Sequence, residues 1–347
     1  MKIHRYMSLL LILLIFNGLL MGCQTDTLPS ANGYSDNLVI HFIDVGQGDS
    51  TFIQFPNGET SLIDGGSRKF GEKVVKYLKD LNINRIDYLI ATHPHEDHIG
   101  GLPEVIRNFS ISKVYMPDRT ANTRIFEELL LEIKKKDLKI TLAEGGDFII
   151  DEDNLKFLIL GPNRNDYSET NDFSIVTKIE YINNSFLIMG DAERDSELDI
   201  INNGYDLISN VIRVGHHGGS TSSNMEFVEK ANPDYAVISV GADNPYGHPH
   251  KETLERLREI GTNVMRTDEM GDIIFESDGY KLSIRTFSLE KQGKSIKYIG
   301  NKNTLIFHTI ECGSLPKEEN RVYFDSFDEA IGAGYKPHNN CIKWEGH

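Results

Sequence analysis

The stretch Thr92-His-Pro-His-Glu-Asp-His-Ile-Gly-Gly101 places His93, His95, Asp97 and His98 within six positions. It follows a largely apolar run, Ile86 to Ala91, which predicts a buried strand. A strand that ends in such a cluster aims its side chains into one small volume. Nitrogen and oxygen donors at this density suit a borderline cation such as zinc. A core could not absorb three imidazoles and a carboxylate without partners. The chain repeats the device further on, where strand-like Val211–Val214 leads into Gly215-His216-His217-Gly218-Gly219. Two strand ends carrying histidine and glycine predict two halves that converge on one site.

The elements that must position these groups alternate, strand with helix, from Leu38 to about Thr286. Val74, Val75, Leu78 and Leu81 recur at helical spacing within 70–81, and 123–136 predicts a charged amphipathic helix. A domain over 38–287, a polar linker over 288–297 and a small module over 298–347 follow from this pattern. The 347 residues, 39% hydrophobic and 25% charged, are those of a globular protein. The start differs: Lys2 and Arg5 precede an apolar run from Met7 to Leu20, too short for a comfortable membrane span. A basic start, a short apolar core and a small residue before a cut site predict a secretory signal over 1–22. Its ending, Leu20-Met-Gly-Cys23, resembles a bacterial lipobox. That resemblance implies cleavage before Cys23 and lipid (palmitate) on its thiol, hence a chain anchored to the cell membrane on its extracytoplasmic face. Residues 24–37, rich in Thr, Ser, Asn and Gly, predict a flexible tether, so 23–37 joins anchor to domain.

Residues 1–22 carry Lys2 and Arg5 and no acid, so the cleaved chain has a net charge of −18 against −16 for the whole. Such a surface argues against sequence-independent nucleic-acid binding over a broad face. It leaves open a local site where metal ions supply the positive charge. Nothing in the sequence points to a protein partner or an oligomeric state.

The motif His93-x-His95-x-Asp97-His98 matches, without a gap, the H-x-H-x-D-H signature of the metallo-β-lactamase superfamily, which the chain resembles over roughly 250 residues. The resemblance implies a four-layer αββα sandwich, an α/β (α+β) fold with two sheets between helices. It implies two zinc ions, or manganese in their place. His93 and His95 would hold one, Asp97 and His98 the other, with Asp191 bridging and His216 or His217 completing the second. Asp64, at a strand end before Gly65-Gly66, stands where the family has an aspartate that orients a ligand. Phe42-Ile-Asp-Val-Gly-Gln-Gly-Asp-Ser50, Val214-Gly-His-His-Gly-Gly-Ser220 and Tyr246-Gly-His-Pro-His250 resemble the ComEC-type competence hydrolases within that family. Asn171-Asp-Phe-Ser-Ile-Val176 resembles that branch's replacement for the usual third histidine of the first metal, and no histidine lies between His98 and His216. Asp172, Asn171 or water could fill that place. Asp49 faces the metals or caps a turn. Ser220, Thr221 and Ser222 bind substrate oxygens or cap the helix that starts near Ser223. His248 would bind phosphate or protonate a leaving group, while His41, inside a strand, is structural.

His308-x₃-Cys312 and His338-x₂-Cys341 have the spacing of a structural zinc site. With Tyr298–Asn303, Arg321–Phe324 and Ala333–Pro337 they resemble the metal-binding domain of Ada-type repair proteins, with two histidines standing for two of its four cysteines. A Cys312–Cys341 disulfide is the alternative. Together these readings imply a surface-anchored, metal-dependent hydrolase, most simply a phosphodiesterase or nuclease acting on DNA through a metal-activated hydroxide, with Asp97 and His248 in the chemistry. A hydrolase of small lactones or β-lactams, and a surface binding protein without catalysis, are the alternatives.

Overall fold

The computed structural model describes residues 37–287 and, beyond them, 298–310, 312, 314–317, 320–324, 327–338 and 341–342. The signal over 1–22, Cys23, nearly all of the tether and the linker over 288–297 lie outside the described residues.

Among the described residues of 37–287, fifteen strands build two sheets. In chain order they are β1 Leu38–Phe42, β2 Thr51–Gln54, β3 Thr60–Ile63, β4 Arg85–Ile90, β5 Ser110–Met116, β6 Ile140–Leu142, β7 Phe148–Glu152 and β8 Leu155–Gly161. Then come β9 Val176–Tyr181, β10 Asn184–Ile188, β11 Val211–Arg213, β12 Tyr235–Ile238, β13 Asn263–Arg266, β14 Asp272–Ser277 and β15 Leu282–Phe287. One sheet runs β15-β14-β1-β2-β3-β4-β5-β6, the other β13-β12-β11-β10-β9-β8-β7. Side chains alternate between faces along a strand, and the apolar residues use both. Ile90, Phe186, Ile188 and Val211 point into the layer between the sheets, with Phe42, Phe157 and Phe275. Leu89 and Val114 point outward onto helices 71–80, 102–108 and 124–135, through Val74, Leu78, Val105, Ile106 and Leu129. Leu187, Ile212 and Ala236 meet Ile200, Phe227 and Leu257 of the helices on the far face. Three apolar layers between four layers of structure give the αββα sandwich.

Both sheets carry their parallel strands toward one edge: β3 with β4, β5 and β6, and β10 with β11, β12 and β13. Open parallel sheets bind ligands beyond the carboxyl ends of their strands. The His-rich loops leave from those ends. The strands Ser110–Met116, Ile140–Leu142 and Phe148–Glu152 are additional to the sequence expectation. The last two are the edges of their sheets, and Ile140–Leu142 is exposed throughout.

His41 is structural, as expected. It is buried in β1, with Nδ1 at 2.9 Å from Tyr77 Oη and Nε2 at 3.2 Å from Gln54 Oε1. Burial pulls its imidazole down to about 4, partly countered by the Gln54 hydrogen bond. The unfolded chain therefore takes up a proton that the folded chain refuses as pH falls from about 6.5 to 4. Stability present above that window should drop by about 3 kcal/mol across it. Denaturant unfolding of wild type and His41→Gln over this range checks it. Equal slopes in the two proteins would show that His41 carries none of the pH dependence.

The C-terminal residues form a separate small sheet: β16 Tyr298–Asn301, β17 Ile306–Thr309, β18 Arg321–Phe324 and β19 Lys336–Pro337, in the order β18-β16-β17-β19. Its core is slight, centred on Phe307, Phe324, Ala330, Tyr335 and Ile342. So few apolar side chains rarely hold a fold without a staple.

Candidate metal centre

Two loops must approach closely before the ligands can meet. The loop after β1 lies against the His93–His98 loop: Asp49 N donates to Asp97 O at 3.1 Å, and a Cβ at Gly48 would stand 2.3 Å from that same oxygen. Gly101 packs against Gly65, where a Cβ would lie 2.1 Å from the Gly65 carbonyl. These contacts give a physical reason for the glycines at 48 and 101.

Each buried histidine is then held from behind. His98 Nδ1 donates to Asp64 Oδ2 at 2.7 Å, and Asp64 is itself fixed by Thr92 N at 2.9 Å and Thr92 Oγ1 at 2.6 Å. His93 Nδ1 lies 3.2 Å from Thr92 Oγ1 and 3.3 Å from Ser174 Oγ. His217 Nδ1 donates to the Ser239 carbonyl at 2.9 Å. With Nδ1 engaged, the Nε2 atoms are aimed into the site, which is how proteins fix the tautomer of a metal-binding histidine. Among the described residues, His98 Nε2, His217 Nε2 and Asp191 Oδ1 are buried and have no hydrogen-bond partner.

These donors face one another. His98 Nε2 is 3.2 Å and His217 Nε2 3.5 Å from Asp191 Oδ2, and His217 Nε2 is 3.2 Å from Asp97 Oδ2. His93 Nε2 is 2.9 Å from His95 Nδ1 and 3.9 Å from Asp191 Oδ2. Nitrogen and oxygen donors about 2.0–2.1 Å from one tetrahedral zinc lie roughly 3.3 Å apart. The spacing, the unpartnered buried atoms and the mixed imidazole–carboxylate set all fit divalent cations. Asp191 groups with His93 and His98 and again with His217 and Asp49, Asp97 groups with His98 and His217, and His95 meets the cluster through His93.

The electrostatics agree. Burial and the neighbouring His98 hold His93 well below the usual imidazole range, and the same two effects lower His95. Burial opposes protonation of His98, yet Asp191 and Asp64 outweigh it and hold that imidazole well above its ordinary value. A cation entering there must expel a proton, so acid competes with metal. Burial also opposes ionisation of Asp97 and Asp191, but His217 and His98 hold both carboxyls below the usual carboxylate range. Beneath the cluster lies Arg213, fully buried, in contact with the Asp49 carboxylate and the Gly190 carbonyl and 3.7 Å from Asp191 Oδ1. Asp49 thus faces the metal side rather than capping a turn alone. The sequence carries a signal for this pair: one arginine in the middle of the apolar strand Val211-Ile-Arg-Val214.

Two expected residues stand elsewhere. Of the consecutive histidines, only His217 joins the cluster. His216 turns to Glu193 Oε1 at 2.8 Å, with Nε2 at 3.5 Å from Asn171 Nδ2. Both residues hold left-handed backbone, φ 49° and 53°, which sends their rings to different neighbours. Asp172 does not fill the gap left by the missing third histidine. Its Oδ1 accepts from the backbone of Glu193 and Ser196, at 3.1 and 3.0 Å, where it satisfies the start of helix 194–202. Asn171 is nearer: its Oδ1 is buried without a partner and it lines the cavity with His95 and His216. His248 lines the same cavity of about 360 Å³. Ser222 donates to the Gly215 and Gly219 carbonyls, and the helix-start position before 225–231 belongs to Asn224.

Residues 43–242 match the metallo-β-lactamase superfamily. The chain belongs to that superfamily. Residues 290–343 match the metal binding domain of Ada. Relatives include ComE operon protein 3 of Bacillus subtilis, 30% identical over 267 residues, which are 72% of this chain and 34% of that protein. Recombination protein 2 of Haemophilus influenzae is 30% identical over 239 residues, 67% of this chain and 28% of its own length. Competence protein ComA of Neisseria gonorrhoeae is 27% identical over 237 residues, with 67% and 31% covered. The chain therefore spans about a third of the length of these relatives.

In the metallo-β-lactamase domain, Asp64 invites a test. Asp64→Asn should lower metal affinity about 10–100-fold, because the carboxylate that fixes the His98 tautomer is lost. Titration with zinc against a chelator reads this, and unchanged affinity would remove the orienting role. The C-terminal module offers a second centre. His308 Nδ1 and His338 Nδ1 lie 3.3 and 3.6 Å from Cys312 Sγ, and 3.9 and 3.4 Å from Cys341 Sγ. All four donors sit within 4.8 Å of one another, an arrangement that fits a tetrahedral metal site.

Proposed function

We propose that this chain is a metal-dependent phosphodiesterase that cleaves DNA, anchored by lipid on Cys23 at the extracytoplasmic face of the membrane, with one hydrolase domain over 38–287 and a zinc-held module over 298–347. What carries the reading is that His95, Asp97, Asp191 and His217 line one cavity while His93 and His98 are buried against Asp191 behind it. Relatives named for competence and recombination support DNA as the substrate.

His93 and His95 would hold one cation, Asp97, His98 and His217 the other, with Asp191 between. When bound, the pair supplies a water ionised near neutral pH and offsets the charge of the phosphate. The remaining residues prepare the place. Asp64 and the Ser239 carbonyl fix the tautomers of His98 and His217. Arg213 balances Asp49 beneath them. His248 has a buried, unpartnered Nδ1, and burial with His216, His217 and His250 nearby pulls it down to about 4. It is therefore neutral at pH 7, which suits hydrogen bonding to a phosphate oxygen better than proton delivery.

Purified protein loaded with zinc or manganese, offered single-stranded DNA, bis-p-nitrophenyl phosphate and a panel of lactones and β-lactams, tests the reading. Phosphodiester cleavage is expected. Turnover of lactones alone, or of nothing, would overturn it. Labelled palmitate should enter the wild type and not Cys23→Ala.

A further inference from the structure

The cavity over the metal centre continues into a wider groove, of about 780 Å³, along the loop after β1 and the start of the first helix. Tyr246 lines both spaces. Its ring is stacked on His248, centroids 5.7 Å apart and planes at 28°, and the residue is 63% exposed. With one face on His248, the other face is what solvent meets. His248 is braced in turn by His216 and His250, which meet it edge-on at 5.2 and 4.7 Å.

The loop that presents the ring is pinned. Asn244 Nδ2 donates to the carbonyls of Gly241 and His248, at 2.9 and 2.7 Å, and its Oδ1 accepts from His248 N at 2.9 Å. The Tyr246 carbonyl lies 3.2 Å from His250 Nε2. Gly241 N donates to Gln47 Oε1 at 3.3 Å, which ties the loop across to the other sheet's side of the groove. An aromatic face held at a fixed height beside a reaction centre loses little entropy when it binds.

We infer that Tyr246 is a stacking platform for an unpaired nucleobase next to the scissile phosphate, and hence that the substrate of this site is single-stranded DNA. The inference rests on the phosphodiesterase reading. A base inside a duplex is already stacked on both sides and would have to leave the helix to reach the ring. The charge around the groove points the same way. Arg68 is engaged with Glu128, and Glu96 and Asp97 line the groove. Lys69 makes no ion pair among the described residues and rests 4.9 Å over the Phe70 ring. One unpaired lysine gives this groove few phosphate contacts to offer a duplex, whereas a base stacked on the ring adds affinity that does not depend on phosphate charge.

The test uses the zinc-loaded full chain and two single strands of equal length and phosphorothioate linkage, one of thymidine and one abasic, read by fluorescence anisotropy. Wild type should prefer the base-bearing strand by about tenfold or more, from one base–aromatic stack. Tyr246→Phe should keep the preference and Tyr246→Ala should lose it, with zinc content the same in all three. Equal binding of both strands by wild type, binding of neither, or a preference that survives Tyr246→Ala would overturn the inference. Bis-p-nitrophenyl phosphate reports separately. No turnover beside an intact base preference sinks the phosphodiesterase reading, and turnover without the preference sinks this one.

Discussion

If the proposed function holds, Asp191→Ala should bring phosphodiester hydrolysis down by at least about a thousandfold, because the residues left would no longer hold the cations that would supply an ionised water. Asp191 Oδ2 is the oxygen that faces both halves of the site, at 3.2 Å from His98, 3.5 Å from His217 and 3.9 Å from His93. Its loss should also deplete metal from the hydrolase centre while the metal on His308, Cys312, His338 and Cys341 stays. Elemental analysis separates the two pools when it is run beside Cys312→Ser. The fold should survive, since Arg213 keeps Asp49 as its closer partner. A variant that retains full activity and metal would refute the proposed centre.

Arg213→Met is the corresponding prediction for stability. The side chain is fully buried, and methionine fills much of its volume without its charge. What remains is Asp49, already pushed upward by burial and eased downward chiefly by Arg213. Breaking a buried pair from one side costs about 3–5 kcal/mol. Urea unfolding should show that loss, and Arg213→Met combined with Asp49→Asn should recover part of it. A change within about 0.5 kcal/mol, as for an ordinary surface substitution, would mean that the pair does not support the site.

The parts of the molecule legible in the sequence were those whose signal is contiguous. His93 to His98 lie side by side in the chain, so their chemistry can be read without knowing the fold. The strands that line the core show runs of apolar residues. Edge strands such as Ile140–Leu142 do not, because solvent takes the place of a packing partner. Arg213 stands out as a charge inside an apolar strand, but its partner Asp49 does not, because the two are distant in the chain and meet only when the two sheets close on each other. His216 and His217 are alike as letters, and only the folded loop shows which ring turns to Glu193 and which to the cluster. Asp172 sits next to Asn171, which lines the cavity, but its carboxylate is taken by the start of helix 194–202, which is distant in the chain and reaches it only in the fold.

Three residues at or beside this centre, Asp64, His216 and His217, hold φ of 59°, 49° and 53°. Left-handed backbone costs a non-glycine residue roughly 1–2 kcal/mol. Glycine or asparagine at these positions would relax the chain, so a library screened for heat resistance alone should drift toward them and shed its chemistry on the way. Durability and reactivity thus compete for the same three backbone angles, and any engineered variant of this protein will have to choose between them there.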